Sequence, residues 1–405
     1  MKTKTHIIIN MPNNKNPQSK KRKYNKVNNN THTNTNDNTT NTSADLNSIP
    51  HVDIISYGDD GSDESSNDES STSDTDKYDD ERPPLKKIRW VDVEKRIETL
   101  DDLIELGETV IDQCDMYAFD MDKLKKMTPT LRKLRDVIGM TLVKQQVVDM
   151  VIFNLTGVNG DGYINYHTVI EGQPGVGKTM LGHILAEVYY HMDFISSSNV
   201  VFAKRSDLIG KYLGQTAPKT QKVIDDALGG VLFIDEVYSL GNEGGRDMYS
   251  KECIDTINRN LSEHAGEFVC IIAGYKDKIQ SCFFNYNAGL ERRFPYRFTI
   301  LPYTPLEMCA IFKQIARRED WDIKPLAINE EFFKGNKDYF KFMGGDLEVM
   351  FQKCKITHAR RIFGVHNAEK RLLTSEDIEK GLEVFKSNPF VSSRDGDDIP
   401  PSMYN

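Results

Sequence analysis

Gly172-Gln173-Pro174-Gly175-Val176-Gly177-Lys178-Thr179 is the stretch on which the fold turns. The spacing Gly-x4-Gly-Lys-Thr lets consecutive backbone N–H groups converge on phosphate oxygens, because glycines tolerate close approach and positive φ. Lys178 has the length to reach β- and γ-phosphates, and the Thr179 hydroxyl is suited to Mg2+. Working outward, His167 to Glu171 reads as a short buried strand. Lys178 to about His191 carries apolar residues at helical spacing, at Met180, Leu181, Ile184, Leu185 and Val188. Strand, glycine loop and helix N-terminus together are what an anion site requires. ATP held by Gly172 to Thr179 is the expectation.

A second motif follows at Val231-Leu232-Phe233-Ile234-Asp235-Glu236. An apolar strand ending in two acids would deliver two carboxylates beside the phosphates. Asp235 would support Mg2+, usually through bound water, and Glu236 would polarise the attacking water as general base. Asp235 therefore joins both the nucleotide and the metal sets, and Glu236 and Lys178 the catalytic one. Third, Leu290-Glu291-Arg292-Arg293-Phe294 lies just before a predicted strand. Arginine pairs are usually surface charge. In a ring-forming ATPase, an arginine here enters the neighbour's site and stabilises charge on the transferring phosphoryl group. Arg293 is preferred for that role, with Arg292 second. Fourth, Ile209-Gly210-Lys211-Tyr212-Leu213-Gly214 is a glycine-flanked aromatic loop between the second strand and the helix after it.

The rest of the chain divides by composition. Its 405 residues suffice for two or three domains. Residues 1–88 read as a disordered tail, rich in Asn, Thr and Ser and then acidic from Asp59 to Glu81, because such a segment cannot bury enough apolar surface to offset its conformational entropy. Within it, Lys20-Lys21-Arg22-Lys23 reads as a solvated charge run, with nuclear import as the rival reading. Residues 89–130 form a predicted helical linker, with Ile97, Leu100, Leu103, Ile104, Val110 and Ile111 at three- and four-residue steps. This segment is expected to pack on the folded body or on a neighbouring subunit. Residues 131–301 are expected to be an α/β domain on a parallel sheet. Its strand candidates are Val200 to Ala203, Val231 to Ile234, Phe268 to Ile272 and Tyr296 to Ile300, short apolar runs suited to a sheet covered on both faces. A helical stretch from Leu131 to Leu155 precedes the sheet and breaks near Asp136 to Gly139. Residues 302–388 read as an all-helical domain, with a helix cap at Thr374, and 389–405 as a tail.

A net charge of −9 gives the whole chain no basic footprint for nucleic acid. Six scattered cysteines without a Cys-x-x-Cys pair read as reduced thiols of a cytoplasmic or nuclear protein. No run of eighteen apolar residues is available to span a membrane.

The run from Asp207 to Thr220, the strand Gly229 to Glu236, Ile271-Ile272-Ala273-Gly274-Tyr275 and Asn287 to Phe294 closely resemble the CbbX/CfxQ branch of the AAA+ ATPases, which includes SpoVK-like proteins. The resemblance covers roughly residues 125 to 385. It implies an α/β ATPase domain followed by a helical lid, assembled as a homo-hexameric ring with ATP between subunits. It implies that Asp235 and Glu236 are the Mg2+ and hydrolytic carboxylates and Arg293 a trans-acting finger. Tyr212, with Leu213 and Gly214, would be the pore loop that grips a protein client. Tyr275 falls where many AAA+ proteins carry a sensor asparagine, and this branch often has Ala-Gly-Tyr there. Two departures stand out. Where the family has Gly-Asn-x-Arg on the lid, this chain has Gly344-Gly345-Asp346-Leu347, which puts Leu347 at the sensor arginine. The proline of Asn-Pro-Gly is Ala288. Two other readings compete with a protein remodeller. One is a nucleic-acid motor or loader, supported by Lys20–Lys23 and by Lys355, Arg360 and Arg361. The other is an ATP-gated scaffold with slow turnover, motivated by the lid departure.

Overall fold

The computed structural model describes residues 89–392 except 113, 159, 161–163, 242–246 and 288. The readings made for residues 1–88, for 393–405 and for Ala288 lie outside the described residues.

Five short strands form one wholly parallel sheet: β1 (Thr168–Gly172), β2 (Val200–Ala203), β3 (Val231–Ile234), β4 (Val269–Gly274) and β5 (Tyr296–Ile300), in the order β2-β3-β4-β1-β5. Adjacent side chains along each strand go to opposite faces, as the two-residue period requires. Val169, Leu232, Ile234, Cys270 and Ile272 enter one apolar cluster, and Ile170, Phe233, Ile271, Ala273, Phe298 and Ile300 the other. Both faces are therefore covered, which is why these strands read as continuous apolar runs rather than as alternating ones.

Helices α1 (Leu100–Glu108), α2 (Met121–Asp136), α3 (Thr141–Leu155) and α4 (Lys178–His191) cover one face. Helices α5 (Thr216–Asp226) and α6 (Met248–Glu263) cover the other. Segment 89–130 packs on its own body: Leu103 and Ile104 of α1 are buried, and Leu124 and Met127 of α2 are fully so. Helix α2 also runs straight through the boundary expected at residue 130. Pro129 removes one backbone donor within it, yet the buried stripe continues on both sides and holds the helix together. The chain leaves the helical path only at Val137, which is extended, and the break expected near Asp136 to Gly139 separates α2 from α3.

Beyond β5 come α7 (Pro305–Arg318), α8 (Met343–Ile362) and α9 (Ser375–Lys386). Thr304 with Glu307, and Thr374 with Asp377, form capping boxes that satisfy the first backbone donors of α7 and α9. This part is not wholly helical, because Asp322–Ile323 pairs in parallel with Leu372–Leu373. Pro389–Ser392, assigned from sequence to the tail, makes one more helical turn with Val391 buried at 2% exposure. Met308, Phe312, Leu347, Phe351 and Phe385 join the same apolar cluster as α1–α4, so the lid shares a core with the body.

His167, at the foot of β1, is buried between the rings of Phe268 and Phe294, and its Nδ1 accepts the Cys270 N–H at 3.0 Å. Burial pushes its pKa down to about 4. The unfolded chain binds this proton near pH 6.5, whereas the folded chain resists it until about pH 4. Stability linked to His167 is therefore complete above about pH 6.5 and lost as pH falls toward 4, at about 1.4 kcal/mol per pH unit at most. Denaturant melts across that window should show the loss for the native chain and a shallower one for His167→Gln.

Candidate active site

In a parallel sheet all strands end at one edge, so the segments after β1, β3 and β4 converge there. After β1 the loop places Gly175 at φ 72° and Gly177 at φ 92°, both left-handed. Gly177 caps α4 without any side-chain hydrogen bond, which leaves the first amides of the helix facing the cleft for an anion. A Cβ on Gly175 would lie 2.1 Å from the Phe342 carbonyl oxygen, so no other residue fits without displacing the lid. The lid touches the loop directly at this point: the Gly344 N–H donates to the Gly175 carbonyl at 3.0 Å. On the other side the Tyr303 hydroxyl donates to the Val176 carbonyl at 2.7 Å.

Lys178 is 7% exposed, and its Nζ donates to the carbonyls of Gly172 at 3.2 Å and Gln173 at 3.0 Å. Burial pushes its pKa down, while Glu236 and Asp235 hold it up. Glu236 is shifted the opposite way: burial raises it, and Lys178 and Lys278 oppose that rise. Each group thus favours the charged form of the other, and burial works against both. The Glu236 backbone is left-handed at φ 51°, a strained conformation for a non-glycine residue, and its N–H bonds Asp235 Oδ1 at 3.0 Å. Tyr275, at the end of β4, presents its ring 5.7 Å from Lys178 Nζ, and Lys278 Nζ lies 5.3 Å from the rings of both Tyr238 and Tyr275.

Lys178, Asp235 and Glu236 border a cleft of about 1320 Å3. Of the residues singled out from sequence, Pro174, Gly175, Gly177, Lys178, Thr179, Asp235 and Glu236 line it. Gly172, Gln173 and Val176 frame the loop from behind, with Val176 fully buried. Tyr212 and Arg293 are not in its lining. Tyr212 and Leu213 are 69% and 73% exposed at the tip of their loop. The base of that loop is tied down. The Gly210 N–H bonds Thr216 Oγ1, and Arg205 bonds the Ser239 carbonyl at 2.6 Å and Asp247 at 2.7 Å. Arg293 donates to Ser262 Oγ and to the Gly289 carbonyl, both at 2.9 Å, while Arg292 is exposed.

Sequence reasoning missed half of the cleft. Val137 and Ile138 at the α2–α3 break, Ile184 on α4, Tyr303, and Ile311 and Ile315 on α7 supply its apolar walls. The helix break was visible in the sequence, but Ile311 and Ile315 keep the same spacing as core residues, and periodicity alone cannot separate a cleft wall from a core. Leu347 is fully buried and belongs to the core, whereas Glu348, Arg317 and Arg318 face the cleft. Two of the three lid cations cited for nucleic acid are used internally. Lys355 pairs with Glu319, and Arg361 with the buried Asp377.

The AAA pattern, described as the ATPase family associated with various cellular activities, matches residues 168–295. A putative cfxQ-like protein of Acanthamoeba polyphaga mimivirus is 41% identical over 296 residues, which span 71% of this chain and 72% of that protein. This chain belongs to the CbbX/CfxQ-like family of AAA+ ATPases. Stage V sporulation protein K of Bacillus subtilis is 35% identical over 52% of this chain and 68% of its own length. A chloroplastic ribulose bisphosphate carboxylase/oxygenase activase of Cyanidioschyzon merolae is 32% identical over 48% of this chain and 68% of its own. The protein is accordingly an ATP-hydrolysing enzyme of AAA+ type. No helix among the described residues is long and apolar enough to cross a membrane.

The Gly175–lid contact yields a first test of this AAA+ site. Gly175→Ala should destabilise the fold by about 2 kcal/mol or more, from the left-handed backbone and the collision with Phe342. It should also weaken binding of a fluorescent ATP analogue. A thermal melt and an equilibrium titration read the two effects.

Proposed function

We propose that this chain is a Mg2+-dependent ATPase that works as a homo-hexameric ring in the cytoplasm and remodels a protein client drawn through the ring's pore. The observation that carries the reading is the meeting of a left-handed glycine loop, a buried lysine and two strand-end acids on one cleft under a helical lid.

The residues fit the chemistry. The amides after Gly177 and the Lys178 ammonium are the donors for the β- and γ-phosphates of ATP. The apolar walls at Val137, Ile138 and Ile315 suit the adenine ring. Among the described residues no cluster of three or more His, Cys, Asp or Glu forms a metal cage. Thr179 and Asp235 would therefore hold Mg2+ with the substrate's own phosphates, the usual manner for that ion. When bound, Mg2+ neutralises charge on the phosphate oxygens. Glu236 orients the attacking water and takes its proton, and its partly buried carboxylate is a stronger base than one in free water. Arg293 would act on a neighbour's cleft, being held away from its own by Ser262 and Gly289.

Tyr212 and Leu213 supply the grip in this reading, since a large aromatic and a leucine exposed on a braced loop suit an apolar polypeptide contact. The Arg205 bond to the Ser239 carbonyl links the base of that loop to the turn that carries Glu236. That link supports coupling of hydrolysis to loop movement. The chloroplastic relative is named as an activase of an enzyme, which supports a protein client rather than nucleic acid. All six cysteines are unpaired, which suits a reducing compartment.

Glu236→Gln should bind ATP with undiminished affinity and hydrolyse it at least about 100-fold more slowly, read by phosphate release. Native rates in that variant would remove Glu236 from the mechanism. Sedimentation of the same variant in Mg2+ and ATP should show six copies, and a persistent monomer would remove the ring. Tyr212→Ala should stop unfolding of a tagged client while ATP hydrolysis continues. Tight ATP binding without turnover in the native chain would instead select the gated scaffold.

A further inference from the structure

Leu347 is buried in the core, yet the lid presents the cations Arg317 and Arg318 to the cleft. Ile311, Gln314, Ile315 and Arg318 recur at three- and four-residue steps on α7 and line the cleft together. Arg318 ends that stripe, with Nη2 2.9 Å from Glu348 Oε1 of α8. Glu348 stands one helical turn, about 6 Å, beyond Gly344. The Gly344 N–H in turn bonds the Gly175 carbonyl of the phosphate loop. The ion pair therefore lies on the same cleft as Lys178, with Glu348 one helical turn from the lid glycine that touches the phosphate loop.

Charge and geometry both bear on its role. Carboxylates lining the cleft outnumber cations, with Asp136, Glu187, Asp235, Glu236 and Glu348 on the acidic side. A nucleoside triphosphate adds several negative charges, so a cation spent on Glu348 is worth more facing the substrate. Arg318 and Glu348 are 65% and 54% exposed, and an exposed ion pair contributes little and is readily exchanged. A guanidinium forms forked, paired bonds to phosphate oxygens, and inside a half-closed cleft these are stronger than an exposed pair with a carboxylate.

We propose that Arg318 is a nucleotide-binding residue of the lid, which leaves Glu348 to bind the phosphate chain of ATP and so supplies positive charge to the cleft from α7. Glu348 is its resting partner and competes with the nucleotide for it. The assignment rests on the cleft being the ATP site.

The test is a titration of the full chain with a fluorescent ATP analogue and Mg2+, then with the matching ADP analogue, alongside a thermal melt. Arg318→Ala should weaken ATP binding about tenfold, as expected for loss of one charge-assisted contact, and ADP binding less. Arg318→Lys should recover part of the loss. Glu348→Gln should tighten ATP binding, because it frees the arginine. A merely structural ion pair predicts a different pattern, since both substitutions remove it. Equal weakening by Arg318→Ala and Glu348→Gln, or native affinity in Arg318→Ala, overturns the assignment while leaving the ATP site intact. A native chain that binds no ATP analogue overturns the site and the assignment together.

Discussion

At Gly175 the glycine loop before α4 and the lid meet backbone to backbone. The Gly344 N–H donates to the Gly175 carbonyl, and a Cβ on either glycine would come within 3 Å of the other segment's backbone. Much of the molecule follows from that approach. The cleft is a gap between body and lid, so its shape depends on where α8 stands. The loop is gripped from two more sides, by Tyr303 through the Val176 carbonyl and by Met140, whose Cε lies within 3.1 Å of where a Gly177 Cβ would be. Three segments distant in sequence thus register the loop's conformation. Val137 and Ile138, just before Met140, and Tyr303 itself also wall the cleft.

The charged groups at the sheet edge form a second, electrostatic layer. Lys178 and Glu236 are both taken partly out of water, which works against the charge on each, and each opposes that effect on the other. The left-handed turn at Glu236 is the conformational cost of aiming the carboxylate, and the hydrogen bond from its N–H to Asp235 helps to hold that turn. A further chain of ionic contacts starts one residue before the loop. Glu171, 3% exposed at the end of β1, accepts from Thr299 and from Arg297. Arg297 also holds Glu291, which opens the short helical turn containing Arg292 and Arg293. The arginine turn is therefore anchored to the strand that leads into the glycine loop.

The central sheet was legible because its strands are short, apolar and flanked by glycine and acid, and three of the five strand boundaries fall where the sequence suggested. The α2 boundary was not legible. Pro129 and a run of lysines obscure a helix whose buried stripe is decided by what it packs against. The basic lid face was misleading in a similar way. Lys355 and Arg361 look free in sequence, but both are committed to acids on other segments, 36 and 16 residues away.

By itself, the sequence determined the glycine loop before α4, the paired acids after β3 and the succession of the five sheet strands, because these depend on backbone chemistry and spacing within a few residues. It also determined the family, through several such motifs in one order. Only the tertiary structure decided which apolar residues wall the cleft rather than fill the core, because both obey the same periodicity. It alone turned Leu347 inward and brought Arg318 and Glu348 to the cleft from separate helices. A local motif carries its own geometry, whereas a cleft between two packed parts exists only once both are in place.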